Sequence, residues 1–315
     1  MIWTRSVKMM IKYFDEEWPK EETLLKQGLD WSRQSKRERM KKVFCIGNGN
    51  SRKDFNLESL RGKGKIYGCN ALYRDFKPDV LISVDNGIMH EIYQTGFAKE
   101  VECWFRNWTK VPASHYEMML HAGLNISEVE DVKKEWDGLY ENEKGNATEF
   151  VMHGSNLQGI VNIIRRDKSR TKEHINKSYS YVSWIYDGDK SNSINEICPD
   201  KRDLGWAAGA MSGYIACKKE TPDEVYLLGH DLVSNTHQVN NLYAGTRHYV
   251  PKEQGPTPHI NWVNQWSTLF EQNKEIKFYK VNPGEGKVSD KIPEWEKYPN
   301  LSYIDYPRLA ILAGL

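Results

Sequence analysis

Short apolar runs that each stop at glycine, asparagine or aspartate recur along this chain. Val43-Phe44-Cys45-Ile46 runs into Gly47-Asn48-Gly49-Asn50-Ser51, KIYGC into Asn70, VLISV into Asp85-Asn86-Gly87, and VYLL into Gly229-His230-Asp231. Runs this short, rich in β-branched and aromatic residues and without polar alternation, suit strands buried on both faces. VECWFRNW and IKFYKVNPGEG read as further strands, and AAGAMSGYIACKKE as a small-residue helix that packs closely on a sheet. Strands alternating with helices, with polar residues gathered past the strand ends, predict an α/β fold. It is a Rossmann-like, doubly wound, mostly parallel sheet with its ligand crevice at those ends.

Around this frame the chain divides by composition. Residues 16–42 are polar, with Leu24, Leu25 and Trp31 near helical spacing, and predict an N-terminal helical extension over residues 1–41. The Rossmann-like nucleotide-binding domain is read over 42–290, with a polar helical and loop insertion at about 123–202. Within it, NLQGIVNIIRR (156–166) reads as helix and DGDKSNSIN as a flexible loop, while RKDFNLESL reads as a short charged helix or turn. Residues 291–315 are apolar enough to form a tail that docks on the body or on a second subunit.

Charge and cysteine usage narrow the class. Lys+Arg (44) and Asp+Glu (43) nearly cancel to a formal net charge of +1, so the composition carries no electrostatic footprint for nucleic acid. Five dispersed cysteines without a CxxC pair read as reduced thiols of a cytoplasmic protein. No apolar run reaches the length of a transmembrane helix, and the N-terminus is broken by charge where a secretory signal would be apolar.

The strand ends carry the chemistry. Gly47 and Gly49 let the backbone turn tightly and approach a ligand, and amides after a first strand suit a phosphate. The spacing is not a dinucleotide fingerprint, because Arg52 stands where a third glycine belongs, nor is it a Walker A loop. Asn48, Asn70 and Asn86 bring side-chain amides, which both donate and accept, to successive strand ends, and Asp85 brings an acid. Asp231 is a candidate base, ribose ligand or metal ligand. Downstream, Arg247 can pair with phosphate, His248 has the right ordinary pKa for general acid–base work, and Tyr243 and Tyr249 flank them. His153-Gly154-Ser155 reads as a helix start.

GNGNSRKDF with YGCNALY resembles the opening of bacterial sialyltransferases of the lipooligosaccharide type. There a Gly-x-Gly-Pro-Ser loop and a Cys-Asn-x-aromatic segment bind the donor's cytidine nucleotide. DLGWAAGAMSGYIACKKETPDEVYLLGHDL resembles that family's later helix and Gly-x-Asp strand end. The same blocks occur in the wider superfamily with flagellin-glycosylating motility accessory factors and archaeal 6-hydroxymethylpterin diphosphokinases. The likeness covers residues 43–87 and about 203–280. It implies that Gly47, Asn48, Gly49, Asn50, Ser51 and Asn70 bind the nucleotide. Asp85 or Asn86 would then sit by its ribose or phosphates, Ala208 and Gly209 near the base, and Asp231 at the reaction centre. Asn50 stands in place of the family's proline. Leu232-Val233-Ser234 follow the aspartate where the sialyltransferases carry tyrosines that stabilise the departing phosphate.

Three functions follow as expectations. The first is a glycosyltransferase using a CMP-linked nucleotide sugar on a glycan or small-molecule hydroxyl acceptor. It would need no metal, with His248 as base and Arg247 and Tyr243 supporting the leaving phosphate, beside Asp231. The second is an ATP-dependent 6-hydroxymethylpterin-type diphosphokinase with Mg2+ on Asp85 and Asp231. The third is a non-catalytic nucleotide-fold binding module.

Overall fold

The computed structural model describes residues 40–106, 110–112, 149–153, 181–185, 188–198, 205–232, 239–255, 258–282 and 291–315. The chain divides into two units, Met1–Met40 and Lys41–Leu315, and every element below belongs to the second. The expected N-terminal helix and the helix at 156–166 lie outside the described residues, except that Lys42 already belongs to the first strand.

The strands are β1 (Lys42–Ile46), β2 (Lys65–Cys69), β3 (Val80–Ser83), β4 (Glu102–Phe105), β5 (Lys110–Pro112), β6 (Glu149–His153), β7 (Tyr181–Ile185), β8 (Ser191–Ser193), β9 (Glu224–Leu228), β10 (Lys277–Val281) and β11 (Leu301–Ile304). The helices are α1 (Asn86–Gln94), α2 (Phe97–Glu100), α3 (Ile194–Ile197), α4 (Ala208–Glu220), α5 (Ile260–Gln272) and α6 (Tyr306–Ala313). An eight-stranded sheet runs in the order β11-β10-β9-β1-β2-β3-β4-β8. All its pairings are parallel. β5, β6 and β7 form a separate antiparallel sheet. Among the described residues no helix is long and apolar enough to cross a membrane.

The apolar runs become strands because both sheet faces are covered. Side chains alternate between faces. Val43, Cys45, Val225 and Leu227 therefore enter one core with α4 and α5, whereas Phe44, Ile46, Tyr226 and Leu228 enter another with α6. A third cluster joins Leu81, Cys103 and Phe105 to Ile88, Met89 and Ile92 of α1. α4 is buried on every side over most of its length, as a helix without a polar face must be. Its small residues set the distance to α5: a Cβ on Gly213 would stand 2.5 Å from Trp266 Cη2.

Two expectations change. Residues 188–195 are not a loop throughout: Ser191–Ser193 pair with β4 as the sheet's edge strand β8, and Ser193 caps α3 through the Asn195 amide. Their polarity hides the strand. Ser191 is buried through hydrogen bonding, its Oγ accepting from Tyr93 Oη at 2.6 Å. Residues 291–315 do not simply dock as a tail, since they supply β11, the opposite edge, and α6, whose Leu309 and Leu312 enter the core. His153 closes β6 opposite Tyr181, and the helix expected to follow it lies outside the described residues.

Sheet order fixes where a ligand can go. From β1 the chain steps outward through β2, β3, β4 and β8, then returns to lay β9 against the other side of β1 before adding β10 and β11. The order reverses between β1 and β9, and in doubly wound sheets the crevice opens outside the strand ends at that reversal.

Candidate functional site at the ends of β1 and β9

A cavity of about 540 Å³ lies at that place, lined by the loops after β1, β2, β3 and β9, the first turn of α4 and the start of α5. The loop after β1 is bound to the loop after β9. Gly47 N–H donates to Leu228 O at 2.7 Å and Gly49 N–H to Gly229 O at 2.8 Å, continuing the strand pairing beyond its end. Only glycines fit so close: a Cβ on Gly47 would sit 2.4 Å from Gly229 O, and one on Gly49 2.4 Å from Asp231 Cγ. The space these glycines leave is filled by protein backbone and by Asp231.

That contact changes the phosphate-cradle expectation. The Asn50 amide donates to Asn240 Oδ1 at 2.9 Å and the Ser51 amide to Asp231 Oδ2 at 2.9 Å. With Gly47 and Gly49 also engaged, these four amides are spent inside the protein. The Asp231 carboxylate stands where an anion was expected. Asn48, almost fully buried, donates to Cys69 O at 3.2 Å and accepts from Arg52 at 3.4 Å. Arg52, also buried, clasps the loop by donating from Nε to Gly47 O at 2.6 Å and from its terminal nitrogen to Tyr243 Oη at 3.2 Å.

The polar wall nearer α1 is more open. Asn70, at φ +48°, donates to Asp85 Oδ2 at 2.7 Å and accepts from Ser83 Oγ at 3.0 Å. Asp85 meets the crevice. Its carboxyl is pushed above the usual range by the surrounding protein, against the Asn70 hydrogen bond and the Arg106 charge. Arg106 follows β4 directly, donates to Trp206 O, and keeps a buried Nε that meets no partner. Burial draws its guanidinium pKa down while Asp85 supports the charge. Beside it the first turn of α4, Ala208 to Ala210, faces the cavity; its N-cap residue Ala207 has no side chain to cap it, and the Ala207 amide donates to Gln265 Oε1 at 3.0 Å. The first-turn amides and the positive end of a helix dipole favour an anion there.

The candidate residues separate on placement. Gly47, Asn48, Gly49, Asn70, Asp85, Ala208, Gly209, Asp231 and His248 line the cavity. Asn50, Ser51 and Asn86 flank it without lining it, and Tyr243 is buried behind the β1 loop on Arg52. The Arg247 side chain is exposed outside the cavity, while its carbonyl accepts from Arg74 at 3.0 Å. His248, at φ +65°, sets its ring against Gly87, with Nε2 3.8 Å from Glu91. Tyr249 also lines the cavity and accepts from the Ala71 amide at 3.3 Å.

Arg106, His230 and the α5 residues Trp262, Gln265 and Trp266 line the cavity although sequence reasoning assigned them no role in it. Arg106 did carry a signal, since it ends an apolar run as Asn70 and Asp85 do. Among the described residues no group of three His, Cys, Asp or Glu is arranged to hold a metal ion. The chain matches no protein-family model, no curated protein and no solved structure.

Proposed function

We propose that this protein is a transferase that takes its group from a nucleotide-activated sugar, with a cytidine nucleotide preferred, and passes it to a hydroxyl acceptor. The observation carrying this reading is the crevice at the β1–β9 reversal, where amide, acid and guanidinium groups converge beside the start of α4. An anionic donor group suits the first turn of α4 and Arg106, and Asn70 and Asp85 suit sugar or base hydrogen bonds. His248, held beside Glu91, is the candidate general base for the acceptor hydroxyl. Asp231 acts by positioning, locking the β1 loop to β9. The likeness of residues 43–87 and 203–280 to sialyltransferases and their superfamily adds to this reading. Arg247 and Tyr243 are not part of it, because neither lines the crevice.

Because Asp85 and Asp231 both line the cavity, a Mg2+-dependent diphosphokinase is the second reading. A thermal-shift panel of CMP, CDP, UDP, GDP and ATP, with and without Mg2+, separates the two. Ligand at about a hundred times Kd adds about 2.7 kcal/mol. Stabilisation by CMP or CDP without metal supports the transferase. Stabilisation by ATP only with Mg2+ selects the diphosphokinase, and no shift with any nucleotide overturns both.

A further inference from the structure

α5 packs along α4, but the two helices do not begin together. Trp266 and Leu269 of α5 reach Gly213 in the middle of α4, where an added Cβ would stand 3.1 Å from Leu269 Cδ1. One residue before Trp266, Gln265 Oε1 accepts the amide of Ala207, which precedes the first residue of α4. Trp262 and Trp266 are four residues apart and so share a face of α5. One turn back from Trp266, that face has run past the start of α4. Trp262 therefore has no α4 to pack on, and it lines the cavity.

Neighbouring tryptophans have partners. Trp266 sets its ring against His230 and Phe270, Trp206 meets Tyr214 edge-on at 5.7 Å, and Trp295 donates to Val263 O at 3.1 Å. Among the described residues, the half-buried Trp262 indole has neither a ring partner nor a hydrogen-bond partner. Val250, 38% exposed, lines the same cavity, so Trp262 is not its only open apolar group. Apolar surface left open inside a crevice marks a place where a ligand's own flat or apolar part is covered.

We propose that Trp262 is the platform on which the ligand's nucleobase stacks, with the phosphate at the first turn of α4. The inference rests on the nucleotide reading above and adds which part of the ligand faces α5. Three residues of helix, about 4.5 Å along the axis, separate Trp262 from Gln265 at the start of α4. A single ribose spans a gap of that order between base and phosphate. Stacking recognises the flat face that every base has, so Trp262 supplies affinity and leaves the choice of base to groups that read its edge. A sugar phosphate without a base gains nothing from it.

Binding of CMP and of ribose 5-phosphate is measured by calorimetry for wild type, Trp262→Ala and Trp262→Phe. CMP affinity should fall by about fivefold to a hundredfold in Trp262→Ala, the range for removing one base–aromatic stack. Trp262→Phe should keep most of the affinity, and ribose 5-phosphate binding should not change in either variant. Trp262→Ala binding CMP within about twofold of wild type, or losing both ligands alike, overturns the proposal while leaving the nucleotide reading intact. No nucleotide binding by wild type overturns both. Should Trp262→Ala fail to fold, proton NMR of CMP on the wild-type protein decides. Close contacts between the cytosine protons and the Trp262 indole support the stack, and bound CMP without them overturns it.

Discussion

Asp231, just past β9, gives both of its carboxylate oxygens to Ser51, 180 residues earlier in the chain: Oδ2 accepts the Ser51 amide at 2.9 Å and Oδ1 accepts the Ser51 hydroxyl. The acid thus sits at the start of a short 3-10 turn (Asn50–Arg52) and ties together the two loops that frame the crevice. Hydrogen bonds to a charged group contribute about 1.5–3 kcal/mol. Asp231→Ala should destabilise the fold by about 2–3 kcal/mol and Ser51→Ala by about 1–2 kcal/mol. Urea unfolding of both variants checks this, and a loss below about 0.5 kcal/mol for Asp231→Ala would show the tie to be dispensable.

Gly49 is required by the same contact. Its added Cβ would stand 2.4 Å from Asp231 Oδ2 and 2.7 Å from Gly229 O, so Gly49→Ala must push the two loops apart. Overpacking of this kind costs about 1–3 kcal/mol. Gly205→Ala is the control, because a Cβ there meets nothing within 4 Å, and its effect should stay within about 0.5 kcal/mol. Equal melting temperatures for the two variants would refute the argument.

The buried His230 makes stability depend on pH with a definite sign. Its folded-state pKa, down to about 3, lies below the ordinary value of 6.5, so the unfolded chain binds a proton that the folded chain refuses. The stabilisation is complete above pH 6.5 and is lost as pH falls from there toward 3, at about 1.4 kcal/mol per pH unit. Denaturant unfolding between pH 7 and 5 should show a shallower acid decline in His230→Gln than in wild type. Parallel curves would mean that His230 is not neutral in the folded protein.

Residues 239–255 are fastened over the strand ends from the α1 side. Arg74 binds Glu91 through two nitrogens, at 2.7 and 2.8 Å, and also donates to Thr246 Oγ1 at 2.7 Å and to Arg247 O. Burial would raise the Glu91 pKa, but bonds from Arg74 and Tyr73 and the nearby Arg74 charge hold it below the usual range. Its contribution is present above the ordinary carboxylate pKa and is lost as pH falls through the lowered one. Arg74→Ala should ease local opening of this segment by about 1–3 kcal/mol, read as faster amide hydrogen exchange at Tyr249 and Gly245. Unchanged exchange there would show that Arg74 is not the fastener. Arg74→Lys should not restore protection, since an ammonium cannot copy the forked contact.

Legibility followed burial. β1, β2, β3, β4, β9 and β10 announced themselves because strands covered on both faces need unbroken apolar runs, and α4 did so because close packing on the sheet needs small residues. β8 and β11 did not, because an edge strand has one open side and tolerates serine and asparagine. In the site, the cavity-lining positions of Asn70, Asp85, Gly209 and Asp231 were readable as strand-end and helix-start residues. The exclusion of Arg247 and Tyr243 was not, because it depends on how residues 239–255 fold back over β1.

The parallel α/β architecture and the gathering of polar residues at strand ends are written in the chain's local pattern, since both follow from the need to bury both faces of the sheet. What Gly47 and Gly49 are for, and which groups remain for a ligand, emerged from contacts between distant parts of the chain. Hydrogen-bonding capacity is finite. Whether the Ser51 amide meets a phosphate or the Asp231 carboxylate depends on residues about 180 positions apart being brought side by side.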